Sequence, residues 1–142
     1  MARADLDLLL RNFIGRAQQG LTASGAFYPF AAVIDTTGQG KMVEYEGGDD
    51  KPTPSDVSTQ LTDVLKIKIA TGKIRAAGLC MNLMITLPGT TSPTQAIAVF
   101  MEEADGEAVE VYMPYKKSDE QMEYGEVVGQ PAPPRFFSKA LN

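Results

Sequence analysis

Apolar and polar positions alternate most clearly between Lys73 and Pro88, KIRAAGLCMNLMITLP, part of the longest uncharged run in the chain. Its length, and Gly72 and Pro88-Gly89 at its ends, predict a central β-strand. Side chains of a strand alternate, so one face carries Ala77, Leu79, Met81, Leu83 and Ile85, the other Ala76, Gly78, Cys80, Asn82 and Met84. Both faces are nearly free of charge. Each therefore needs cover, and the expected covers are helices on the Leu79 face and a second copy of the chain on the small-residue face.

Elsewhere the period changes. Leu6, Leu9, Leu10, Phe13, Ile14 and Ala17 repeat at helical spacing, which predicts an amphipathic helix over 5–19, closed by Gly20. Leu8 lies off that stripe, as single exposed leucines often do. AFYPFAAVID, a Gly-containing turn and KMVEYEG read as a hairpin, with Pro29 just ahead of a regular strand over 30–35. Thr53-Pro54-Ser55-Asp56 signals a helix start: Thr53 caps, Pro54 needs no partner at the first position, and Asp56 bonds back. That helix is expected to run to Thr71, with Val57, Leu61, Val64 and Leu65 on one face. Lys68, within this arc, is expected to lift its ammonium into water. QAIAVFMEE and EAVEVYMPY flank Asp105-Gly106 and form the best-marked hairpin. A short strand is expected near 122–128, then an extended Pro-rich tail over 130–142.

The order α-β-β-α-β-β-β with hairpins at both ends predicts an α+β two-layer sandwich. Its sheet is mainly antiparallel, of about five to six strands, with both helices on one face. One domain spans 1–142, since 142 residues with 44% hydrophobic and 22% charged content suit one globular core.

Charge and missing residue types narrow the function. A net charge of −5 argues against nonspecific nucleic-acid binding, and no apolar segment is long enough for a membrane span. The single cysteine makes no intrachain disulfide, and with no leader-like segment the expected location is cytoplasmic. Histidine is absent, which removes Ser-His-Asp, Cys-His and His-metal chemistry. Cys80 lacks a neighbouring base and reads as a small buried apolar group. Glu102, Glu103 and Asp105 lack the spacing of a calcium loop. GGDDKPTPS leads into a helix start, but Asp49 and Asp50 would repel phosphate. No catalytic residue, cofactor or metal is therefore assigned.

The hairpin PFAAVID-TTGQG resembles the first hairpin of the nucleoside deaminase fold. That family's zinc motif needs a His-x-Glu and a Pro-Cys-x-x-Cys, so the resemblance implies no deaminase chemistry. The element order is similar to the profilin and roadblock group of α/β sandwiches, which implies a scaffold used for dimerisation and small-ligand sensing. FYPFAAVID, GKIRAAGL, the AIAVFMEE-DGEAVEVYMPY hairpin and EYGEVVGQPAPPRFF together resemble a family of small bacterial proteins with no assigned activity. That resemblance implies one compact domain and transfers no catalytic residue.

Two surfaces remain. Asn82 is the polar side chain in the middle of the central strand, and an unpaired buried amide would cost about 1–3 kcal/mol. Ala76, Gly78, Cys80, Asn82, Ala98 and Phe100, taken as one small-residue face, are the expected homodimer interface, the competing cover being the Pro-rich tail folded over that face within one chain. Tyr112, Tyr115, Lys116 and Arg135, if the tail returns over the fifth strand, form a rim suited to a small anion. The leading expectation is a non-enzymatic homodimeric binding or interaction module. The alternative is an enzyme or sensor holding a small anionic ligand at that rim.

Overall fold

In the computed structural model, residues 2–45, 52–119 and 121–137 are described, without the side chains of residues 2 and 3. The first helix, α1, spans Ala2–Ser24 and buries Leu6, Leu9, Phe13, Ala17 and Leu21. It runs past Gly20, the expected end. A Cβ on Gly20 would sit 3.0 Å from that of Phe27, so this glycine serves the close return of the chain, while Gly25 at φ 80° ends the helix.

Strands β1 (Phe30–Asp35) and β2 (Gly40–Val43) form the expected hairpin. The Asp35 carboxylate tightens its turn by accepting the backbone N–H groups of Thr37 and Gln39. Helix α2 (Pro54–Ala70) starts as read: Thr53 Oγ1 accepts the Asp56 N–H at 3.0 Å, and Pro54 stands in the first turn. Val57, Leu61 and Leu65 are its buried residues, and Lys68 is exposed. Then follow β3 (Ile74–Thr86), β4 (Pro93–Glu103), β5 (Ala108–Ser118), β6 (Gln121–Tyr124) and β7 (Val128–Pro131). β7 takes Gln130 and Pro131 into the sheet, where an extended, unpaired Pro-rich segment was expected. Pro131 is tolerated there because β7 lies at an edge.

The strands make one antiparallel sheet in the order β2-β1-β3-β4-β5-β6, with β7 also paired to β5. The class is α+β and the element order is the one expected. The placement of the helices is a correction. α1 packs with Phe30, Ala32, Ile34, Ala76, Cys80, Ile97, Val99 and Met101. α2 packs with Ala31, Val33, Ala77, Leu79, Ala98 and Phe100, together with Phe136 and Phe137 of the tail. The two helices therefore cover opposite faces of β3, and one chain supplies both covers.

Register explains the difference. Cys80 pairs with Val99, so Ala98 and Phe100 stand on the Leu79 face. Phe13 of α1 fills the small-residue face: a Cβ on Gly78 would lie 2.6 Å from the Phe13 ring. Small residues here make room for a helix, which is the physical content of a stripe read as an interface. Among the described residues, no helix is long and apolar enough to cross a membrane.

Candidate binding groove

The expected sites do not assemble. Ala76, Gly78 and Cys80 are buried under α1, whereas Ala98 and Phe100 are buried on the opposite face. They share no surface. Asn82 lies on the α1 side near its margin, and its demand for partners is met within the chain. Its amide donates to Gln95 Oε1 at 3.0 Å and its Oδ1 accepts the Tyr115 hydroxyl at 2.8 Å.

The rim divides in the same way. Tyr115 is buried on the α1 face, as its pairing opposite Gln95 requires. Tyr112 lies on the other face, stacked edge-on to Phe100 at 6.3 Å, with its hydroxyl donating to Glu110 at 3.0 Å. Arg135 lies over Phe100, 4.0 Å from the ring centroid. Lys116 is exposed, 3.9 Å from Glu123. Tyr112 and Arg135 both flank Phe100 while Tyr115 and Lys116 lie together elsewhere, and Glu110 already holds the Tyr112 phenol. Burial first, and then the Glu110 carboxylate, push that phenol's pKa up.

Cys80 is fully buried, and burial pushes its thiol well above the ordinary range, so it carries no thiolate near neutral pH. Among the described residues, no group of three or more His, Cys, Asp or Glu side chains could hold a metal ion. The phosphate-site reading on Asp49 and Asp50 lies outside the described residues.

The structure instead opens a groove of about 690 Å³ where α1, the start of β1, the end of the β1–β2 hairpin and the start of α2 meet. Phe27, Tyr28, Phe30 and Tyr45 line it, with Arg16 and Glu44 as its charged groups. Pro29 sets its shape: the proline supplies no N–H, so the chain enters β1 only at Phe30. Tyr28 is left pointing off the sheet, 53% exposed. Phe27 and Phe30 meet edge to face at 6.0 Å, and Phe30 in turn touches Phe13 of the core at 5.6 Å. Arg16 stands 5.6 Å above the Phe30 ring and donates to the Glu44 carboxylate. Both partners of that ion pair are about half exposed, so water screens it and a competing anion would displace it at little cost.

Aromatic walls take a flat or apolar body, and the guanidinium takes a negative group. The groove is not announced by the sequence, because the rings around Pro29 also suit the approach to a strand that starts at Phe30. Three rings packed around a proline that cannot join the ladder were the available signal. Compared with known proteins, the chain matches no family model, no curated protein and no solved structure.

Proposed function

We propose that this chain is a non-catalytic binding module whose site is the Arg16–Tyr28–Tyr45 groove. Its ligand class is a small aromatic carboxylate. The observation that carries the reading is the exposed Tyr28 ring beside a guanidinium held over Phe30 by a weak, displaceable ion pair. Buried Cys80 and the absence of histidine favour binding over catalysis. A cytoplasmic location belongs to the same proposal and is supported by the lone, buried thiol.

The anionic-ligand alternative survives in moved form. Tyr112 and Tyr115 lie on opposite faces of the sheet, so the negative group is assigned to Arg16. Self-association is retained in the proposal, away from the β3 face that α1 occupies.

Phenylacetate and N-acetyltyrosine are suitable probes. At millimolar concentration each should raise the melting temperature, since a ligand stabilises the state it binds. Arg16→Ala and Tyr28→Ala, both at half-exposed positions, should keep the fold and lose that rise. Equal shifts in wild type and variants, or no shift with any probe, would remove the groove from the account.

A further inference from the structure

Glu102 is a buried carboxylate, only 2% exposed, on the α2 face of β4. It accepts the backbone N–H groups of three successive tail residues. The Phe136 N–H lies 3.0 Å from one oxygen and 2.9 Å from the other, the Phe137 N–H lies at 2.9 Å, and Arg135 adds a third donor. Successive N–H groups converging on one anion form a nest. Among the described residues, every donor recorded for Glu102 comes from the tail. A buried carboxylate stripped of donors is strongly unfavourable, so β4 carries a group whose place in the fold depends on the tail being docked.

The rest of the slot matches the same segment. Phe136 and Phe137 are buried next to Ile69 and Ile74, and the Arg135 guanidinium lies over Phe100. The body of the domain thus presents a peptide receptor: an anion for a turn of backbone, an apolar slot for two rings, and an aromatic face for a cation. Its tether is short. Ala132 donates to Ala108 O at 3.0 Å, and Pro133 and Pro134 have no N–H with which to fasten the chain further.

We propose that the Glu102 slot also binds the Arg135–Phe137 segment of a second copy, so that two chains pair by exchanging tails. This rests on the reading of the chain as self-associating. Exchange uses one set of contacts in both states, so the balance is set by effective concentration. A short tether holds its own tail at an effective concentration on the order of millimolar. The wild type is therefore a monomer in dilute solution and exchanges at high concentration. Weakening the cis competitor lowers the concentration at which exchange occurs.

Two full-length variants provide the test. Glu102→Ala has an intact tail without a slot anion, and the double variant Phe136→Ala/Phe137→Ala has an intact slot with a tail that keeps its backbone donors and lacks both rings. Each alone should show the mass of one chain by light scattering. Mixed at micromolar concentration they should form a one-to-one pair of twice that mass. A mixture that stays at the mass of one chain overturns tail exchange. If either variant does not fold, the wild type decides. Isotope-labelled and unlabelled chains refolded together at millimolar concentration should show cross-chain contacts from the Phe136 ring to Ile69. A wild-type dimer without those contacts overturns the exchange and leaves self-association standing; a wild type that stays monomeric overturns both.

Discussion

Gly78 shows how a single missing side chain can decide which face of a sheet is covered. Its absent Cβ leaves room for the Phe13 ring, and the carbonyl oxygen of Phe100 lies 3.1 Å from the same point. Neither neighbour can yield easily, because Phe13 is 1% exposed and the second contact is backbone. Gly78→Ala should therefore overpack the α1 face and cost about 1–3 kcal/mol, read as a lower urea midpoint with an unchanged slope. A neutral substitution would mean that α1 does not seat on β3 as described. Asn82 was legible in part at this scale: it is half-buried rather than buried, and its amide finds Gln95 and Tyr115 as partners. Glu102 reads in the sequence only as one of the solvated acids at the β4–β5 hairpin, although its parity places it with Ala98 and Phe100 on an apolar face, where it is buried. A charged residue in that register announces a partner, here the tail backbone.

Among elements, the docking of the α1 start against the β4–β5 turn makes the clearest claim about pH. Glu103, 4% exposed, points to the α1 face with one carboxylate oxygen unpartnered. Burial first, then the charges of Asp105, Asp5 and Glu107, push its pKa up from 4.5 to about 7, with the positive amino terminus opposing. Arg75, on β3, is engaged by Asp5 at 2.8 Å. A folded-state pKa above the unfolded one means the native state keeps a proton that the unfolded chain has lost. Stability should thus fall as pH rises from about 4.5 to about 7 and level off above that. With allowance for solvent at the turn, the loss is on the order of 1–2 kcal/mol. Glu103→Gln should flatten that part of the stability profile in a series of urea melts. Parallel profiles would show that the carboxyl ionises freely. Elements themselves were largely legible in the sequence, because caps, Pro positions and Asp-Gly turns act locally. Faces were not. Thr86 pairs with Pro93 across the loop 87–92, an even-numbered loop that flips the parity of β4 relative to β3. A single residue's difference there moves every side chain to the other side.

For the molecule as a whole, the central expectation survives in altered and shortened form: residues 76–80 of β3 are shielded on both sides, by α1 on one and by α2 with the tail on the other, while the far half of the strand is less covered and Met84 is 61% exposed. The error lay in supposing that a charge-poor strand needs a neighbour when a second helix is available within the chain. The candidate groove arises from the same arrangement, since it opens where the two helices, coming from opposite faces, approach the start of β1. It was not legible because it joins residues from four segments, none with a recognisable motif. Cys80 tests this arrangement directly, being the single thiol, fully buried on the face in question. Its rate of reaction with a thiol reagent under native conditions should be slow and independent of protein concentration, because α1 of the same chain covers it. Rapid reaction in dilute solution, slowing as the protein is concentrated, would show instead that a second chain is the cover.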